Sequence, residues 1–159
     1  MTTINQNFAR TQKTYGGVPW GNLTGLQYNF TTNASGVFVN SDLATAVQSA
    51  DVVRLGVLPQ GMTLFDCLTI ISTAFSASTT ASIGFAYVDG VDSTTVPQNA
   101  AYFAATLATS STGVSRKTAV TAPVTLPKDA YLILTIGGAA EGQVGVMDMI
   151  VTGIETGTN

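Results

Sequence analysis

The sequence predicts an all-β fold: an antiparallel β-sandwich, jelly-roll-like, of about eight strands, preceded by an extended N-terminal arm. Three observations carry that expectation. From Leu23 onward apolar residues recur with a period of two, as where Leu26, Tyr28 and Phe30 alternate with Gln27 and Asn29; this is the spacing of a strand with one buried face. Clusters of Gly, Pro, Asn and Ser break the chain at strand-length intervals, as turns do. The 159 residues are 45% hydrophobic and 9% charged, enough apolar material for one core of ordinary size.

Residues 1–22 stand apart. They are polar and lack periodicity, and Gly16-Gly17 with Pro19 rules out a helix there. Isolated large side chains punctuate them: Phe8, Tyr15 and Trp20. The expectation is an extended arm whose three aromatics anchor in pockets of a partner, with the sandwich domain occupying residues 23–159. Within that domain 31–36 reads as a turn, after which 37–39 resumes as strand. Residues 42–47 read as one short helical turn. Strands follow at 51–58, 62–75 and 81–87, the last closed by Asp89-Gly90. The Ala-rich stretch 98–107 shows no clean helical stripe and reads as irregular or strand. Residues 114–120, 131–136 and 144–154 complete the strands, with Gly137-Gly138 between the last two.

One register is computable. If Pro59-Gln60-Gly61 is a three-residue hairpin loop with the glycine left-handed, Leu58 faces Met62. Leu55 then pairs with Phe65, and Val53 with Cys67, on a core face. The opposite face pairs Arg54 with Asp66, so the lone charges of the two strands meet.

The residues that carry chemistry are scarce. The chain has no His and one Cys, which removes Ser-His and Cys-His catalysis; Ser-x-x-Lys is absent as well. The nine acids leave paired-carboxylate chemistry formally open, but no spacing suggests it. Asp89-Gly90-Val91-Asp92 reads as a turn; a calcium loop would need more oxygen ligands at fixed positions. Neither Gly16-Gly17 nor Gly137-Gly138 fits a nucleotide-binding pattern. Expectation at this point is a protein that is not an enzyme, with no catalytic residue, cofactor or metal.

Charge narrows the partners. The net charge is −3 and the six basic residues are scattered, which argues against nucleic acid. The adjacent pair Arg116-Lys117 reads as a solvated strand edge. No apolar run approaches the ~20 residues of a membrane-spanning helix, and residues 1–6 have no secretory character. Cys67, in an apolar strand, reads as a buried, inert thiol. So few charges barely cover a monomer of this size, so Ser, Thr, Asn and Gln must supply surface polarity, other chains must bury surface, or both.

The central stretch Asp51-Val52-Val53-Arg54-Leu55-Gly56, Leu58-Pro59-Gln60-Gly61 and Ile83-Gly84-Phe85 resembles the small capsid decoration (cement) proteins of tailed bacteriophages. So do Ala101-Tyr102-Phe103-Ala104-Ala105-Thr106 and the ending Ala130-Tyr131-Leu132 with Gly137-Gly138-Ala139-Ala140. The likeness covers residues 50–152 and lies in strands and turns, not in a catalytic signature. It implies a jelly-roll-like protein made in the host cytoplasm and bound to the outside of an icosahedral head. Its implied partners are the major capsid protein and further copies of itself, as a homotrimer. The competing expectation is a receptor- or carbohydrate-binding sandwich of a phage tail or fibre, for which Trp20, Tyr15 and Tyr87 are the available aromatics.

Overall fold

Alternating side chains give each strand an apolar face, and two sheets bury those faces against each other. The computed structural model describes residues 1–6 and 23–155. Ten strands run through them: β1 (Thr3–Asn5), β2 (Leu23–Thr32), β3 (Val52–Leu58), β4 (Met62–Thr73), β5 (Thr79–Tyr87), β6 (Asn99–Ala108), β7 (Gly113–Ser115), β8 (Val124–Thr125), β9 (Ala130–Gly138) and β10 (Gly145–Glu155). The first sheet has the order β1-β3-β9-β5-β6; the second has the order β2-β10-β4-β7, with β8 also on β4. Pairing is antiparallel except between β1 and β3, which run parallel. The chain changes sheets from β3 to β4, from β4 to β5 and from β9 to β10, the jelly-roll-like habit that the turn spacing suggested.

The core lies between the sheets. Leu132, Leu134 and Ile136 of β9 face Leu64, Met147, Met149 and Val151 of the other layer, all at most 2% exposed. Phe30 stacks on Phe75 with ring centroids 5.2 Å apart, and Phe38 tilts onto the Phe30 ring at 5.0 Å. A Cβ at position 145 would overlap the Phe75 ring, so Gly145 is what lets that aromatic in. Phe85 packs edge-on against Tyr87 and Tyr102. Buried tyrosines tie the layers through their hydroxyls. Tyr28 of β2 donates to the Val57 carbonyl of β3 at 2.9 Å. Tyr102 of β6 donates to the Leu64 carbonyl of β4 at 3.2 Å and to Ala122 at 2.9 Å. Each satisfies a polar tip that burial would otherwise penalise.

The expected hairpin is an arch. Gly61 is left-handed at φ 81° and Met62 N donates to Pro59 O at 3.2 Å, so the turn forms where its residues place it. Its two strands then diverge into different sheets: β3 pairs with β1 and β9, β4 with β10, β7 and β8. Arg54 and Asp66 therefore do not meet. The Arg54 guanidinium sits 5.0 Å over the Tyr131 ring, and Asp66 takes Arg116 instead. Phe65 is half-buried rather than in the core, because β4 carries an irregularity opposite Thr152 and Gly153. That bulge switches the buried parity from Met62 and Leu64 to Cys67, Thr69 and Ile71.

Other expectations shift locally. Residues 37–39 make isolated bridges to Thr32 and Ala46 rather than a strand, and 42–47 contain no helical turn. The strand expected over 114–120 is confined to Gly113–Ser115. The stretch 98–107 is strand β6. Of the arm, residues 1–6 are described, and they do pack as a regular element: Ile4 pairs with Val53 and is fully buried.

At one end of the sandwich a single acid joins several connections. Glu141 is 3% exposed. Its Oε2 accepts from Ser76 N at 3.1 Å, its own N–H donates to Val47 O at 2.9 Å, and Gly142 N donates to Ser76 Oγ at 2.8 Å. Burial pushes its carboxyl above the usual glutamate value of 4.5, a rise that its bonds to Ser76 only offset in part.

A folded-state value above the unfolded one favours the protonated acid in the fold. This contribution is complete below the unfolded pKa near 4.5 and is lost as pH rises through the folded value. Replacing Glu141 by Gln should thus raise the neutral-pH melting temperature and flatten its dependence between acid and neutral pH. Thermal melts across that range check this, and a parallel curve for both proteins would contradict it. The bulge gives a second test: Leu64→Ala should cost about 3–5 kcal/mol as a core cavity. Phe65→Ala, one residue on, should cost roughly 1 kcal/mol. Urea melts that reverse this order would refute the assigned faces.

Candidate interaction surface

The second sheet presents a charge-poor outer face, to which its strands contribute the acids Asp66 and Asp148. Inward side chains on β10 are Met147, Met149 and Val151, so Val146, Asp148, Ile150, Thr152 and Ile154 point outward and are half-buried. The register sets Ile150 between Leu68 and Gln27, and Asp148 between Ile70 and Asn29. Val114 of β7 lies beside Ile70 and is 69% exposed. At the end of the sheet Leu23 lies beside Ile154 and is 68% exposed. The middle of the face is therefore aliphatic across three strands.

Several of its polar groups are bonded to one another. Asn29 Nδ2 donates to Asp148 Oδ1 at 3.0 Å, and Thr31 Oγ1 donates to Asn29 Oδ1 at 2.7 Å. The hydroxyls of Thr63 and Thr125 share a hydrogen bond of 2.7 Å. Asp66 is held on three sides: by Arg116 Nη1 at 2.8 Å, and by the backbone N–H groups of Cys67 at 2.8 Å and Lys117 at 3.2 Å. The pair Arg116-Lys117 thus follows β7 directly. Arg116 is solvated, whereas Lys117 turns inward, with Nζ 4.2 Å over the Tyr102 ring and donating to Thr121 O at 3.0 Å. Burial lowers its pKa, with Asp66 opposing that shift.

The outer face of the first sheet is different. Tyr131 and Ile133 point away from the core yet are only 5% exposed, packed with Val52, Val57 and Ala86 under the Arg54 guanidinium. At the other edge, an apolar pocket of about 300 Å³ opens beside Phe85, Val96, Pro97, Tyr102 and Val124. Asp89-Gly90-Val91-Asp92 is a turn whose carboxylates serve the protein itself. Asp89 binds Lys128 at 2.7 Å, and Asp92 Oδ1 accepts from Ser93 N and Gln98 N. Cys67 is buried, and desolvation pushes its thiol up to about 12. Among the described residues no group of three or more His, Cys, Asp or Glu is placed to hold a metal ion, and no helix is long and apolar enough to cross a membrane.

Of the residues singled out in the sequence, Phe8, Tyr15 and Trp20 lie outside the described residues. Tyr87 is 2% exposed and its hydroxyl donates to Val96 O, so it offers no stacking surface to a ligand. The outward aliphatic face was not anticipated. Its signal was present, since 144–154 is apolar on both parities: Val146 and Ile150 on one, Met147, Met149 and Val151 on the other.

Fold and surface together define a two-layer all-β sandwich. Among solved structures the chain is similar to one in the capsid of Ralstonia phage GP4, with a TM-score of 0.69 and 15% identity over 99% of this chain and 100% of that one. It is also similar to a chain of the cyanophage Pam1 capsid asymmetric unit, with a TM-score of 0.52 and 9% identity over 91% and 94% of the two chains. The expected sandwich is thus a fold that phage capsid structures contain. No protein-family model and no curated protein matches the sequence.

The charges on this face are separable by mutation. Arg116 is 75% exposed in its side chain, so Arg116→Ala should cost less than about 1 kcal/mol. Asp66→Ala should cost more, because the Cys67 and Lys117 amides lose their acceptor. Equal losses in denaturant melts would show that the ion pair, not the backbone bonding, is what Asp66 contributes.

Proposed function

We propose that this protein is a virion structural protein: a capsid decoration protein that binds the outer surface of an icosahedral phage head and stabilises it. The observation that carries the reading is the shared fold over 99% of the chain with a chain of a phage capsid structure. The physical character of the molecule agrees. Asn, Thr and Asp on the second sheet bond to one another, and the described charged groups are spread over strands and turns rather than gathered in a cleft. A head under internal pressure needs a ligand that binds many equivalent sites by area rather than through one deep pocket. On this reading the protein is not an enzyme and needs no cofactor. It is made in the host cytoplasm and resides on the virion, where it contacts the major capsid protein and other copies of itself as a homotrimer. Phe8, Tyr15 and Trp20 are proposed as anchors on the neighbouring subunit or the shell.

Adding the purified protein to heads assembled without it tests this. Saturable binding of hundreds of copies per head, with increased resistance of the head to heat, is the expected result. Failure to bind heads, or a dozen or fewer copies at a tail, would overturn it. The arm is tested by replacing Phe8, Tyr15 and Trp20 with Ala. Removal of residues 1–22 would be a poor test, because Ile4 belongs to the core. The triple variant should melt like the parent protein but bind heads markedly more weakly, and equal binding would show that the arm is a passenger.

A further inference from the structure

We infer that the outer face of the β2-β10-β4-β7 sheet is the surface through which copies of this chain associate. It deepens the reading above, resting on its proposal of self-association but not on the trimer: a face that packs on its own counterpart is a twofold contact and joins copies in pairs.

Three features of the face support a second copy as its occupant. The first is chemistry. Leu68, Ile70, Ile150 and Val114 form a continuous aliphatic centre across β10, β4 and β7. The polar groups around it are already hydrogen-bonded within the chain: Asn29 to Asp148, Thr31 to Asn29, Thr63 to Thr125 and Asp66 to Arg116. Covering such a face strips water from apolar groups while breaking few protein–water bonds that the partner would have to replace. The best complement is a surface equally aliphatic and equally poor in unpaired donors, and this face itself is one.

The second is charge. Strand residues on the face contribute two acids: Asp66, neutralised by Arg116 at 2.8 Å, and Asp148. Asp148, which accepts from the neutral Asn29 amide, is thus the one acid of these strand residues without a cation beside it, so two copies brought together meet repulsion from a single carboxylate each. The third is size. Strands of 10, 11 and 12 residues, at ~3.3 Å per residue and ~4.8 Å between strands, with the short fourth strand beside them, give a footprint of roughly 600 Å² in projection. Side-chain relief raises the accessible area toward the ~800 Å² per partner of a stable interface. The first sheet offers no such face, because Tyr131 and Ile133 are already 95% covered, at 5% exposure each.

The test is the mass of the purified full-length chain in solution, measured by light scattering from micromolar to millimolar concentration. The unaltered protein should show a mass that is a multiple of 16.4 kDa. Ile150→Lys and Leu68→Lys should return it to the single-chain mass with an unchanged melting temperature, while Ser82→Lys on the opposite sheet should leave the oligomer intact. Should either lysine variant fail to fold, Ile150→Thr and Leu68→Thr serve in its place, since threonine suits a strand; they should weaken association at least tenfold. A parent protein that stays monomeric at every concentration, or face variants that associate like the parent, would overturn the inference. Head binding is measured separately. Protein that associates through this face but does not add to heads would sink the decoration reading and leave this inference standing. Head binding with association unaffected by the variants would do the reverse.

Discussion

The structure depends on the pairing of β4 with β10. These are the longest strands, joined from Thr73 opposite Val146 to Met62 opposite Glu155, and every other strand of the second sheet attaches to one or the other. Their inward side chains, Met62, Leu64, Cys67 and Ile71 against Met147, Met149 and Val151, supply one wall of the core. That wall stays continuous only because β4 inserts an extra residue near Phe65 and Asp66. Without the bulge, the parity that buries Met62 and Leu64 would also bury Asp66, a charge with no partner between the sheets. The bulge turns Asp66 outward to Arg116 and brings Cys67 inward. It also leaves Gly153 close to Thr63 O and the Met62 side chain, where a Cβ would collide.

Most strands could be read from the sequence because one-face burial imposes a period of two. β2, β3, β5, β9 and β10 were placed in this way. What could not be read was which strands share a sheet. Gly61 signals a tight left-handed turn, but a hairpin and an arch use the same turn, and the decision rests on partners distant in sequence, β9 and β10. The apparent match of Arg54 with Asp66 was therefore a coincidence of spacing. The bulge, in contrast, leaves a readable trace: Leu64 and Asp66 share a parity, and one strand cannot bury the first and expose the second without changing step. The short β7 and β8 left almost no trace, since two or three residues carry no period. Burial of Ile4 was hidden too, as a single apolar residue among polar ones has no pattern.

For the functional surface the same limit applies from the other side. The anchors suggested by the sequence were isolated aromatics, conspicuous because their neighbours are polar. The aliphatic face is inconspicuous because its residues alternate with core residues in the same strands. In β10, Met149 and Val151 account for the strand, so Ile150 between them looks like more of the same core. Only the register, which puts Ile150 beside Leu68 on one side and Gln27 on the other, shows that it belongs to a second apolar surface.

The two outer faces then give the molecule a direction. On the first sheet Tyr131 and Ile133 point outward yet are covered within the chain, with the Arg54 guanidinium stacked over Tyr131 and the partly buried Val52, Val57 and Ala86 packed around them. On the second, comparable groups stay half-exposed while the polar residues beside them bond to each other. A sandwich that needed only to fold and remain dissolved would place unpaired polar or charged side chains on both. Keeping one face aliphatic carries a solubility cost that is offset only if something covers it. Because its Asn, Thr and Asp groups offer few free hydrogen bonds, a contact on that face draws its strength from area and fit.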